Sequence, residues 1–365
     1  MANLFDRLFN RGTGPSETRA DFAIPARSDS NVTPITALSL TAVYRAIQII
    51  AVPISKMELT TYRFATGIEQ EIDNPILVNN PCVNETRRDF LFQTVTSLAM
   101  HGEAFWLKQF NNSGQVNNLV LLPTSNVGVY IDPVTFIKTY NYNGRNYAVT
   151  EIEHMKLFSV VGVTRGLGPI QTCSQDIAGA LDLRNYATEW FGSAGIPTGI
   201  LSSTAMLNSE QADEVTAHWH AKQAARQVAV LGNGFQYSPV AISPKDALFT
   251  EVQEQQVQQI ARLFGVPARL MNTSLGGASD TYTNLSDENQ VFFRHTLMAY
   301  LDPIQDALSN CLPRGTRVEF DYDDLFKADT ASRYNYYATG IQAGFLTPEY
   351  VQNYEGIDIN NTGVN

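Results

Sequence analysis

The chain holds 365 residues, 44% hydrophobic and 10% aromatic, enough apolar material for one large or two ordinary folded cores. No uncharged apolar run of about 18 residues occurs, so neither a transmembrane helix nor a membrane partner is expected. The net charge of −11 is the wrong sign for a protein that grips nucleic acid by its phosphates, though not for a conduit that DNA must pass without sticking.

The first ten residues, MANLFDRLFN, carry Arg7 inside their apolar part and show no small-residue cleavage site. They read as a short amphipathic docking segment rather than a secretory signal. Glycine, proline, serine and charges then mix without periodicity, and a mobile arm is expected over 1–32. Order begins near Thr33-Pro34. From Leu38 to Val52, Val43, Ile47 and Ile50 recur at helical spacing, with Pro53 expected to end the run; Met57–Phe64 reads as a strand. Thr86 caps a second helix, with Asp89 as its reciprocal partner, and Gly102 stops it. A β-meander follows through Glu103–Phe110, Val116–Leu122, Thr135–Tyr142 and Arg145–Val149, the last two joined by the hairpin signal Asn143-Gly144. The first half is therefore α+β, with its strands in one block.

The second half reads as mostly helical. Over 170–192, Ile170, Ile177 and Leu181 fall on one side of a helix and Leu183, Tyr186 and Trp190 about 180° away. Such a helix is sandwiched, either between ordinary core elements or between copies of itself. Residues 195–240 form a small unit with an apolar run at Ile196–Leu201, a helix near Ser209–Gln227 and a Gly-Asn-Gly turn. Helix returns over 245–264, with Phe249, Val252, Gln256, Ile260 and Leu263 on one face. Its other face, Glu251, Glu254, Gln255 and Gln258, is polar and nearly free of positive charge. A loop over 272–284 leads to a helix from Ser286 to about Cys311 that Pro303 should kink. Val318–Tyr322 is a late strand, and short helices close the chain near 331–343 and 348–354.

Chemistry-bearing motifs are sparse. His218 and His220 point about 200° apart on a helix and cannot share a metal ion without unwinding it. The run EFDYDDLFKAD at 319–329 lacks the glycine and terminal glutamate of a calcium loop. No nucleophile elbow, Walker loop or H-E-x-x-H occurs, and Gly166, Gly168 and Gly276-Gly277 read as turn or loop glycines. Cys82, Cys173 and Cys311 are odd in number, far apart and outside any C-x-x-C spacing, which suits reduced thiols. Neither a catalytic site nor a cofactor is expected. Lys222 and Arg226, one helical turn apart, are either a solvated face or a contact for an acidic partner or passing DNA.

Five segments in order resemble the portal proteins of long-tailed, lambdoid-type bacteriophages over residues 35–357. They are VYRAIQIIAVPISKMELTTYR (43–63), NPILVNNPCVNETRRDFLFQTVTSLAMHGEAFW (74–106), GLGPIQTCSQDIAGALDLRNYATEWFGSAGIPTGIL (166–201), FTEVQEQQVQQIARLFGVPARLM (249–271) and YTNLSDENQVFFRHTLMAYLDPI (282–304). The third is the most specific. Two departures stand out: Gly102-Glu103-Ala104-Phe105 replaces the family's usual Gly-Asn-Ala-Tyr, and GFLTPEYVQNYEGI (344–357) differs from its Thr-x-Asn-Glu-x-Arg pattern.

The resemblance implies an α+β portal-type subunit. It has a wing at 33–168, stem helices at 169–194 and 244–266 bracketing a clip at 195–243, and a tunnel loop region at 267–284. A kinked tunnel helix at 285–313, a strand returning to the wing at 314–330 and crown-like helices at 331–365 complete it. It further implies a ring, dodecameric in the family, at the capsid vertex of the virion, assembled in the host cytoplasm. The implied partners are double-stranded DNA, the packaging terminase, the major capsid or scaffold protein and a head-completion adaptor. On that reading Ser274, Leu275, Gly276, Gly277, Ala278, Ser279, Asp280 and Thr281 touch DNA. Glu251, Glu254, Gln255 and Gln258 line the channel, Lys222 and Arg226 meet a clip partner, and Ile177, Leu181, Leu183, Tyr186 and Trp190 form the subunit interface. Another virion ring component, such as a head–tail adaptor, and an uncharacterised soluble enzyme are the competing readings.

Overall fold

The computed structural model describes residues 32–65, 68–191, 199–203, 208–224, 234–239, 249–272, 288–322 and 330–355. The expected arm and most of the 272–284 loop lie outside them. The first helix, Pro34–Leu38, opens on a capping box: Thr33 Oγ1 accepts from the Thr36 N–H at 3.1 Å and Thr36 Oγ1 from the Thr33 N–H at 2.8 Å. The next, Thr41–Lys56, buries Val43, Ile47, Ile50 and Ile54. It runs through Pro53, contrary to the expected stop. Proline there removes only the donor to the Ile49 carbonyl, and the last turn still closes through the Met57 N–H onto Pro53 O at 3.2 Å.

The helix Arg87–His101 starts and ends as its sequence predicts. Thr86 Oγ1 accepts from the Asp89 N–H at 3.1 Å and donates to the Asp89 carboxylate at 2.7 Å, while Gly102 leaves the helix at φ 74. β1 (Glu58–Ala65) is the centre of a sheet ordered β11-β1-β2, with β2 at Ile68–Ile72 and the late strand β11 at Thr316–Asp321.

The meander is not one block. β3 (Glu103–Phe110) pairs antiparallel with β4 (Val116–Leu122) and β8 (Ile152–Lys156). β5 (Val127–Ile131), β6 (Lys138–Tyr142) and β7 (Arg145–Ala148) form a separate antiparallel sheet. Asn143 at φ 50 and Gly144 at φ 78 make the expected two-residue turn. Sequence periodicity missed β2, β5 and β8: IEQEI and IEHMK mix charge with few apolar residues, and VGVYI is short and holds a glycine. The Thr135 start expected for β6 is corrected to Lys138, because Asp132 ties residues 132–137 into a loop.

In the second half, the single helix expected over 170–192 is two, Pro169–Thr172 and Ser174–Phe191, broken where Cys173 leaves helical geometry at φ −104, ψ 35. β9 (Gly199–Ser203) pairs antiparallel with β10 (Phe235–Pro239), with the helix Ser209–Ala224 between them in sequence. The helix Phe249–Phe264 and the 3-10 turn Ala268–Met271 follow. From residue 288 a helix runs to Asn310 and passes through Pro303; its departure from α-geometry is a π-helical stretch at Phe293–Leu297, upstream of the expected kink. Helices Thr330–Gln342 and Pro348–Glu355 close the described chain. No described helix is long and apolar enough to cross a membrane.

One large apolar core joins helices 41–56, 87–101, 249–264 and 298–310, and a smaller one, built on Phe105, Leu122, Val127, Val129, Tyr140 and Ile152, joins the β4-β3-β8 and β5-β6-β7 sheets.

Candidate functional site: the paired helices and the joint that anchors them

Helices 174–191 and 249–264 pack against each other, and the second also packs on 41–56. Their amphipathic patterns decide which faces do so. On 249–264, Ile260 and Phe264 are buried and Val257 and Leu263 lie against the core, while Glu251, Glu254 and Gln255 are exposed and Gln258 is half-buried. Val252, expected on the apolar face, is 37% exposed. Gln256 keeps a buried side-chain oxygen with no hydrogen-bond partner in the chain.

On 174–191 the two stripes part company. Ile177 is fully buried and Leu181 packs against the same core, so this stripe is satisfied inside the subunit. A side chain with no exposure has no surface to offer a neighbour, and Ile177 is corrected from interface to core. Leu183 is half-buried, Tyr186 is 50% exposed, and the Trp190 side chain lies outside the described residues. Lys222 falls in the helix Ser209–Ala224, but its side chain, Arg226 and residues 274–281 lie outside the description. His218 is exposed. Among the described residues no group of three or more His, Cys, Asp or Glu side chains is placed to hold a metal ion.

The strap from Thr164 to Gly168 carries the chain from the β4-β3-β8 sheet into these helices, and no local motif announces its anchoring. Glu103, the first residue of β3, is 2% exposed. Its Oε1 accepts from Arg165 Nε at 2.6 Å, and its Oε2 accepts from the Gly166 N–H at 2.8 Å and meets His154 Nε2 at 3.0 Å. Arg165 also donates to Val127 O at 2.7 Å and Thr124 O at 2.9 Å, reaching the second sheet. Lys156 donates to Thr164 O in the same strap. Burial pushes the Glu103 carboxyl up, but the His154 hydrogen bond, the Arg165 charge and the Gly166 N–H outweigh it and hold the group below the usual range. Burial lowers His154 despite the adjacent carboxylate, so the ring is neutral and donates from Nε2. Its face stacks on Phe105 at 4.3 Å between centroids.

The backbones cross here at the closest approach glycine allows. A Cβ on Gly102 would lie 2.3 Å from Leu167 O, one on Gly166 2.4 Å from Gly102 O, and one on Gly168 2.7 Å from His101 O. The available signal was the departure at Glu103: a carboxylate beginning a buried strand needs a cation, and Arg165 beside Gly166 supplies it. A second junction locks the other end, where Thr296 Oγ1 in the π-helical stretch donates to Gly265 O at 2.7 Å.

The arrangement is mechanical: two packed helices, a two-stranded antiparallel sheet and a helix between them in sequence, and hydrogen-bonded joints at their ends. Comparison with known proteins gives the same answer. The chain is 26% identical to a probable portal protein of Streptomyces phage phiC31, over 94% of this chain and 83% of that one. It is 23% identical to the portal protein of Enterobacteria phage HK97, over 84% and 76% respectively. The fold is similar to the crystal structure of an HK97-family phage portal protein from Corynebacterium diphtheriae, with a TM-score of 0.60, 18% identity, and 82% of this chain and 98% of that one covered. It is also similar to a chain in the neck of a native gene transfer agent particle resolved with C12 symmetry, with a TM-score of 0.64, 20% identity, and 91% and 94% covered. The model of the phage portal protein family matches residues 41–356, and on that match the chain belongs to this family of structural proteins of the head-to-tail connector.

Proposed function

We propose that twelve copies of this chain form a closed ring at one vertex of the capsid, through which double-stranded DNA is packaged and later released. The observation that carries the reading is the helix pair 174–191 and 249–264 bracketing a small inserted unit, in a chain of the portal family. The twelvefold count is taken from the related neck assembly. Glu251, Glu254, Gln255 and Gln258 face the channel. Phosphate repelled by carboxylates and met only by neutral amides finds no deep electrostatic well, so DNA slides rather than stalls. On this reading residues 274–281, polar and without a cation, supply transient contact with the duplex. The ring turns over no substrate; a separate terminase docks on the clip, with Lys222 and Arg226 as contacts, and supplies the work. The head-completion adaptor follows at the same place, the wing meets the major capsid or scaffold protein, and assembly takes place in the host cytoplasm.

Electron-microscopy class averages of the purified full chain test the reading. Twelvefold rings with a central hole are expected; a stable monomer at micromolar concentration, or an open filament, overturns it.

A further inference from the structure

The loop Asp132–Ile137, at the tip of the β5–β6 hairpin, shows three apolar side chains at once: Val134 is 82% exposed, Phe136 78% and Ile137 58%. The loop is not slack. Asp132 Oδ1 accepts from the Val134 and Thr135 N–H groups, each at 2.8 Å. Its backbone O accepts from the Phe136 N–H at 2.9 Å, and its N–H donates to Ile137 O at 3.0 Å. These bonds hold Phe136 at φ 55, where a bulky aromatic residue is strained. Strain and exposed apolar surface thus coincide at one residue, with no compensating burial inside the subunit.

The same chain carries a receptor of matching character. A groove of about 600 Å3 runs between Pro75–Leu77, Phe110 and Leu312-Pro313. Ile76 on its wall is 83% exposed and Phe110 47%. Thr316 lines the groove as well. Arg63 stands in the same wall, a cation for the Asp132 carboxylate at the base of the loop. The groove sits at the turn end of the β3–β4 hairpin, whereas β5 departs from the opposite end, beyond Leu122. A subunit therefore leaves its own groove open.

We infer that the Val134–Ile137 tip of one subunit seats in the Pro75–Leu77, Phe110 and Leu312-Pro313 groove of the next. The inference rests on the ring proposed above. A closed ring of identical subunits needs two different complementary patches on each copy, and this knob and this groove supply them.

Replacing Phe136 with a photo-crosslinking benzoyl-phenylalanine in the full chain tests the contact. In assembled rings, crosslinks are expected between subunits, mapping by mass spectrometry to residues 75–77, 110–117 or 310–316. Crosslinks confined to one chain, to another surface of the neighbour, or to a capsid component overturn the contact while rings in the same sample leave the ring reading standing. Absence of rings overturns both. A second variant, Phe136→Asn, keeps the turn, since asparagine takes left-handed backbone readily. The subunit should melt no lower than wild type, while rings should dissociate on dilution at about tenfold or more higher concentration. Rings of unchanged stability in this variant overturn the inference.

Discussion

Arg165 Nε lies 2.6 Å from Glu103 Oε1, and the same guanidinium reaches the Thr124 carbonyl in the turn before β5 and the Val127 carbonyl at the start of the second sheet. One planar side chain therefore ties β3, the turn into β5 and the strap leading to the helix pair into one body. Helix 174–191 follows that strap closely in sequence. A lysine could not reproduce the joint, because its ammonium cannot present the fork that meets three oxygens in a plane.

Glu103→Ala should destabilise the subunit by roughly 3 kcal/mol, since it leaves the Gly166 N–H and the His154 N–H without their acceptor. Arg165→Met should lose part of the same energy, and the double variant should fall well short of the sum because both remove one network. Urea unfolding of the three variants measures this; additive losses would refute a shared joint.

Stability should fall in acid in two stages. His154 is held below its ordinary value, so the unfolded chain takes up a proton first as pH drops below about 6.5, and stability declines from there. Glu103 is also depressed, and its contribution, present above about 4.3, is lost as pH falls through its folded value. A melting-temperature series from pH 8 down to about 2, spanning both windows, on wild type and His154→Phe separates the two. The phenylalanine variant should lose the upper stage and keep a smaller lower one, held by Arg165 and the Gly166 N–H alone.

Gly102→Ala should cost roughly 3 kcal/mol or more, because a methyl would meet the Leu167 carbonyl at 2.3 Å and the residue sits at φ 74. Gly114→Ala shares the positive φ, at 75, but opens onto free space, and should cost only about 1 kcal/mol. Comparable denaturation midpoints for the two would show that the backbone crossing at Gly102 is not tight.

The two stripes of helix 174–191 should fail differently. Ile177→Asp buries a charge in the subunit's own core and should yield aggregated or unfolded chain. Leu183→Asp with Trp190→Asp should yield folded monomers, read by circular dichroism together with light scattering. Unfolding in both cases would remove the outer stripe from the interface.

Glu251→Lys with Glu254→Lys replaces repulsion by attraction toward phosphate. Rings should assemble as before, while DNA packaging slows, more so at low salt where screening is weak. Packaging at the wild-type rate would place these side chains away from the duplex.

Much of this protein was legible from local chemistry. The caps at Thr86 and Gly102, the Asn143-Gly144 turn and the paired limits of β3 and β4 each depend on a few neighbouring residues, and each stands where the sequence put it. The ordered segments also carried the family. What failed required knowledge of partners distant in sequence. Pro53 stays inside its helix because core packing at Ile50 and Ile54 outweighs one lost hydrogen bond. β2 and β8 form because β1 and β3 offer them edges, which no periodicity announces. Ile177 and Tyr186 share one helix, yet only the packed core decides that the first is buried and the second half exposed. Glu103 and Arg165, 62 residues apart, become a pair only when the strap is laid across β3. Helical and turn preferences act over a turn or two of chain, whereas burial and ion pairing are set by the fold that brings remote segments together.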